Sequence, residues 1–104
     1  LWEHLVLEYL QAIFPIEKIF YWRTKQQEEV DFVLVQGRDK CDVIECKWNV
    51  SSFDARGLKA FRARHPGGRN FLVCPGIIRP YSRTFENIEV TCIDATDLRT
   101  HLGA

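Results

Sequence analysis

The sequence has no apolar run near the roughly 20 residues that a membrane-spanning helix needs, so it offers no span of that kind. It shows no basic segment leading into an apolar one, the pattern of a secretory leader. It opens at Leu1, without Met and already inside an amphipathic pattern, so a piece of a longer protein is expected. It has no net charge: 14 Lys and Arg stand against 14 Asp and Glu, which excludes a uniformly cationic coat for nucleic acid. Cys41, Cys46, Cys74 and Cys92 form no CxxC pair and no zinc-type spacing. Each lies in a short apolar run, where free cysteine behaves as a small buried hydrophobe. Reduced thiols and a cytoplasmic setting are therefore expected. No P-loop pattern, repeat or low-complexity segment is present.

What is present is unevenly distributed. Residues 55 to 83 carry Arg56, Lys59, Arg62, Arg64, Arg69, Arg79 and Arg83 with no acid, while residues 1 to 54 carry ten acids and six bases. Such a split suits a polyanion on one side and a cation on the other, or simply a solvated basic face. The length of 104 residues fits one domain spanning 1–104.

Periodicity supplies the elements. Trp2, Leu5, Val6, Tyr9, Leu10 and Ile13 recur at helical spacing up to Pro15. Lys18 to Thr24, Glu29 to Val35 and Cys41 to Trp48 read as strands. Ser51, Ser52 or Asp54 would cap a helix running to Arg64, with Leu58 and Phe61 inward and His65-Pro66-Gly67-Gly68 as its stop. Asn70 to Cys74 and Ile88 to Ile93 read as strands, and a helix capped by Asp94 or Thr96 closes the chain. The order α-β-β-β-α-β-β-α predicts an α/β sandwich around a mixed central sheet of about five strands flanked by helices. Trp2, Trp22 and Trp48 are expected to serve packing.

Two of these strands carry charge where apolar residues are expected. Asp31 sits inside Val30-Asp31-Phe32-Val33-Leu34-Val35, and Glu45 and Lys47 inside Val43-Ile44-Glu45-Cys46-Lys47-Trp48. Side chains alternate along a strand, so Glu45 and Lys47 share a face roughly 6.5 Å apart, with Cys46 pointing into the core. A tight turn at Gly37-Arg38-Asp39 would place Val35 opposite Cys41, Val33 opposite Val43 and Asp31 opposite Glu45. Like charges directly opposite destabilise a sheet, and a hard cation such as magnesium between them removes that cost. The plainer alternative is a salt-bridge cluster at a solvated sheet edge. Arg23 and Lys25, leaving the first strand, suit a phosphate; Arg56, Lys59 and Arg62 recur in steps of three along one side of the second helix.

The ordered set helix-Glu, strand-Asp, strand-Glu-x-Lys, helix resembles the PD-(D/E)XK nuclease superfamily. More closely, Trp2-Glu3-His4-Leu5-Val6, Tyr21-Trp22-Arg23-Thr24-Lys25, Glu29 to Leu34, Ile44 to Lys47 and Gly57 to Phe61 resemble the domain of unknown function at the C-terminal end of prokaryotic AAA+-type ATPases. The likeness covers about Leu1 to Val73. It implies a restriction-endonuclease-like sandwich, fused in the full chain to an N-terminal ATPase module, and nucleic acid as partner. It implies magnesium or manganese held by Asp31, Glu45 and the Cys46 carbonyl. It implies that Lys47 assists the attacking water and that Glu3 reaches the site from the first helix. Arg23, Lys25, Arg56, Lys59 and Arg62 would meet nucleic acid. A magnesium-dependent nuclease is the first expectation; the other is a catalytically silent, nuclease-like accessory domain that binds DNA or a protein. The superfamily often carries a Gln or Lys in the following helix, and here only Arg56 or Lys59 could serve.

Overall fold

The first helix forms as its spacing requires. In the computed structural model, which describes residues 1–102, α1 spans Trp2–Ile13 and buries Val6 and Leu10, while Leu5 and Tyr9 face solvent. Pro15 ends it and opens a 3-10 turn over Ile16–Lys18.

A mixed sheet follows, built from β1 (Ile19–Arg23), β2 (Glu29–Gly37), β3 (Lys40–Cys46), β4 (Asn70–Val73), β5 (Tyr81–Phe85) and β6 (Ile88–Ile93). Its spatial order is β1-β2-β3-β4-β6-β5. The first three strands form an antiparallel meander, β3–β4 and β4–β6 pair in parallel, and β5 lies antiparallel on β6. Parallel pairing of β3 and β4 demands a crossover, and α2 (Arg56–Arg64) provides it. The C-terminal helix α3 (Leu98–Leu102) follows a 3-10 turn whose N-cap, Asp94, accepts the Thr96 N–H at 3.2 Å. The architecture is the expected α/β sandwich, with six strands rather than five.

Two apolar layers hold it together. On one face Phe32, Leu34, Ile44, Phe71, Val73 and Ile93 meet Val6 and Leu10 of α1 and Leu98 and Leu102 of α3. On the other, Val33, Val43, Leu72, Val90 and Cys92 meet Leu58 and Phe61 of α2. Each fully buried aliphatic or aromatic side chain contributes about 1.5–3 kcal/mol by leaving water. A sheet buried on both faces explains the apolar runs in β3 and β4.

Asp42 departs from that rule. It is 2% exposed and lies between β3 and β4, accepting from the Arg69 backbone N–H at 2.8 Å, Arg69 Nη2 at 2.7 Å and Gln36 Nε2 at 3.0 Å. Burial alone would raise its pKa, but the Arg69 and Gln36 hydrogen bonds and the Arg69 charge hold it below the ordinary carboxylate value. The Asp42–Arg69 pair is thus a structural clasp at the far end of the sheet from Lys47.

Candidate functional site

The hairpin register is the expected one, but the turn is not: Gly37 pairs with Lys40, and a shift in register between Val35 and Gly37 restores the alignment. Val35 faces Cys41 and Val33 faces Val43, and the last paired residues are Phe32 and Ile44. Beyond that point side chains replace the backbone ladder. Glu45 Oε1 accepts the Asp31 N–H at 2.9 Å, and Asp31 Oδ2 accepts the Cys46 N–H at 2.7 Å. The two carboxylates therefore interlock across the strand pair, each committing one oxygen to a backbone amide.

Simple alternation does not describe Asp31. Phe20 faces Val33 whereas Trp22 faces Val30, so Asp31 and Phe32 together oppose the single residue Tyr21. Such a bulge re-aims side chains and is frequent beside functional sites. It sets Asp31 where two clefts meet. One, of about 170 Å³, is lined by Asp31, Glu45 and Lys47 together with Glu28, Glu29, Asp54 and Arg56. The second, of about 300 Å³, is lined by Asp31 with Glu3, Tyr21, Arg23 and Glu29.

The electrostatics are strained. Glu45 is 6% exposed, and burial, followed by the charge of Asp31, raises its pKa from 4.5 to about 8. Asp31 rises well above its ordinary 3.8, first by burial and then through the Glu3 carboxyl set against it. The Cys46 N–H and the Lys47 charge oppose that rise but do not cancel it. Cys46 itself is buried, its thiol pushed up by burial and the surrounding carboxylates.

Glu3, Asp31, Glu45 and Lys47 are thus brought together, with the Cys46 backbone between the two acids. Glu8 pairs instead with His4 at 3.7 Å on the solvent side. Arg23 lines the second cleft but is tied to Glu29, Nε to Oε2 at 2.9 Å. Lys25 is exposed in the β1–β2 turn. Arg56 reaches the first cleft and donates to the Gln26 carbonyl at 3.2 Å, while Lys59 pairs with Glu86 at 3.5 Å. Arg62 lies elsewhere. Its five N–H groups go to Asn70 Oδ1 and to the carbonyls of His65, Gly67, Cys41 and Arg69, so none remains for a phosphate. The expected row of three bases is reduced to Arg56 and Lys59.

The basic segment is likewise no uniform face. Arg69 serves Asp42, Arg64 lies over the Trp22 ring and Arg83 over the Phe85 ring. Three acids in the clefts were not singled out as site residues by sequence: Glu28 and Glu29, whose position just before Asp31 was the available signal, and Asp54, read only as a cap. The N-cap of α2 is Ala55, and Asp54 Oδ1 accepts the Arg56 N–H at 2.9 Å from the residue before it.

A buried Glu45 and a half-buried Asp31, the charge of Asp31 raising the pKa of Glu45, form an oxygen donor pair suited to a hard divalent cation. Among the described residues no group of three or more His, Cys, Asp or Glu side chains is disposed as a metal cage. The fit is therefore to an open site. Magnesium is commonly held that way, by one or two carboxylates with water and phosphate oxygens completing its shell. Also among the described residues, no helix is long and apolar enough to cross a membrane, and all four cysteines are free.

No curated protein matches this chain. A family match does extend over residues 1–93, the whole sheet with α1 and α2, and on it the chain belongs to the family described as Domain of unknown function (DUF4143).

Proposed function

We propose that the Asp31–Glu45–Lys47 cleft is a magnesium- or manganese-dependent phosphodiesterase site acting on nucleic acid, the activity that the PD-(D/E)XK resemblance implies for these residues. The observation that carries this reading is the interlocked pair of raised carboxylates, with Lys47 lining the same cleft. Asp31, Glu45 and the Cys46 carbonyl would hold the cation, which when bound supplies Lewis acidity and lowers the pKa of a coordinated water. Lys47 is exposed, and its charge lowers the pKa of both acids. From there its ammonium can orient a water or meet charge developing on a phosphate. Glu3, against Asp31, is placed to take or return a proton on the second cleft. Arg56, with Arg23 and Lys25 at the β1 end, supplies positive charge for the flanking backbone.

One observation favours the second reading, a catalytically silent accessory module of an AAA+-type ATPase. Both carboxylates already have structural partners in the Asp31 and Cys46 amides, so they serve the hairpin without any chemistry. The readings part on cleavage. The first expects magnesium- or manganese-dependent hydrolysis of DNA or RNA that disappears in Asp31→Ala and Lys47→Ala. Purified protein that cuts neither polymer under any divalent cation refutes it. The second expects salt-sensitive binding that survives Asp31→Ala and weakens when Arg56 and Lys59 are replaced.

A further inference from the structure

We propose that Trp48 and Tyr21 are stacking platforms for the bases of single-stranded DNA whose backbone crosses the Asp31–Glu45–Lys47 cleft; this rests on the reading above and names the form of its substrate.

Trp48 follows Lys47 directly and is 66% exposed. Its ring is nonetheless fixed. It stacks on Trp2 with centroids 6.1 Å apart and planes inclined by 28°. The Trp2 indole N–H donates to the Val73 carbonyl at 2.9 Å, and the same oxygen accepts the Lys47 N–H at 3.2 Å. One carbonyl thus anchors both the ring stack and the residue that carries the ammonium. Trp2 serves packing; Trp48 buries too little of its surface for packing to account for it.

Tyr21 is carried by β1, on the other side of β2 from the strand that leads into Trp48. It lies on β1 at the bulge, is 71% exposed, and rests on the Phe32 ring with centroids 5.6 Å apart. It shares the second cleft with Glu3, Arg23 and Asp31. Because β1 and β3 flank β2, the strand that carries Asp31 lies between the strand of Tyr21 and the strand that leads into Trp48.

A rigid aromatic with one supported side and broad exposure is what a nucleobase needs for stacking, and little side-chain freedom is lost on contact. Duplex bases are covered by their own neighbours, whereas single-strand bases are available to side-chain rings. Flanking aromatics beside a cleft with Lys47, Arg56 and Arg23 therefore favour a single strand, its phosphates at the cations and its bases on the rings.

The test is fluorescence anisotropy with a labelled single-stranded DNA oligonucleotide and its duplex, with calcium replacing magnesium. Trp48→Ala and Tyr21→Leu are each expected to weaken single-strand binding about tenfold and leave duplex binding unchanged. Trp48→Phe, which keeps a ring on Trp2, is expected to retain most of the affinity. An abasic site at the stacked position should reproduce the loss in the unmodified protein and add nothing in the variant. Equal losses on both DNA forms, or no loss, overturn the stacking proposal alone. The metal reading is followed separately by Mn²⁺ calorimetry on Asp31→Ala. No binding of either DNA form by the unmodified protein overturns the stacking and the nucleic-acid reading together.

Discussion

Glu45 Oε1 lies 2.9 Å from the backbone nitrogen of Asp31, so one acid holds in place the strand that carries the other. The reverse tie is the 2.7 Å bond from the Cys46 N–H to Asp31 Oδ2. This reciprocity separates the structural part of Asp31 from its charge. Asp31→Ala removes the acceptor of a partly buried N–H, which costs about 1–3 kcal/mol, offset in part by relief of the repulsion on Glu45. Asp31→Asn keeps an acceptor oxygen and removes only the charge. It is expected to be at least as stable as the unmodified protein near neutral pH without metal, and to lose Mn²⁺ binding. Chemical denaturation and calorimetry measure the two quantities; Mn²⁺ binding that persists in Asp31→Asn would remove that carboxylate from the ligand set.

The same strain fixes a pH dependence. Asp31 and Glu45 have ordinary values of 3.8 and 4.5, both raised in the folded chain, Glu45 to about 8. Below the ordinary values both states are protonated and the carboxyls favour neither. Between there and about 8 the folded chain retains protons that the unfolded chain has lost, so stability falls as pH rises. In EDTA the melting temperature is therefore expected to drop between about pH 5 and about pH 8, and magnesium to restore most of the loss at the upper end. A flat melting profile in EDTA would contradict the burial of this pair.

Much of this was legible beforehand, for identifiable reasons. The Val35–Cys41 and Val33–Val43 register follows from the penalty of flipping apolar residues to the wrong face, which the irregularity between Val35 and Gly37 accommodates. The bulge opposite Tyr21 was not legible, because Asp31-Phe32-Val33 reads as regular alternation and only the Phe20–Val33 and Trp22–Val30 pairings reveal the extra residue. β5 was missed because Tyr81–Phe85 is an edge strand with almost no burial. Its one signal was Glu86-Asn87, a two-residue turn with φ of 46° and 70° that closes the hairpin to β6. The bases were harder still. Spacing put Arg56, Lys59 and Arg62 on one side of a helix but could not show that the chain around Cys41 and Gly67 would consume all of Arg62's donors.

That difference gives opposite expectations for two arginines on one helix. Arg62→Ala removes five hydrogen bonds at once, although the Gly67 and Arg69 carbonyls keep the Cys41 and Val43 N–H groups, and is expected to destabilise by about 2–4 kcal/mol. Arg56→Ala removes one exposed bond to the Gln26 carbonyl and should change stability by no more than about 0.5 kcal/mol. It should instead weaken nucleic-acid binding and lower the salt slope by about 1. Urea titration and binding across a salt series distinguish them.

Gly57 tests how α2 is set against the cleft. A Cβ at this position would run into the Glu29 backbone carbonyl, and Glu29 opens the strand that carries Asp31. Gly57→Ala improves intrinsic helix propensity yet is expected to destabilise by about 1–3 kcal/mol, because helix and strand must move apart. A gain in stability would mean that the close approach is relaxed in solution.

Lys47 separates chemistry from metal binding. Its side chain is exposed, so Lys47→Ala should cost at most about 0.5 kcal/mol of stability. Its positive charge lies close enough to lower the pKa of both Asp31 and Glu45, and the same field disfavours a cation bound between them. Lys47→Ala is therefore expected to bind Mn²⁺ as tightly as the unmodified protein or more tightly, while phosphodiester cleavage falls by about a hundredfold or more. That pattern is the converse of Asp31→Asn, where the metal goes first and cleavage follows. If calorimetry shows Mn²⁺ affinity falling together with cleavage in Lys47→Ala, the ammonium is holding the carboxylates in position rather than acting on the water or the phosphate.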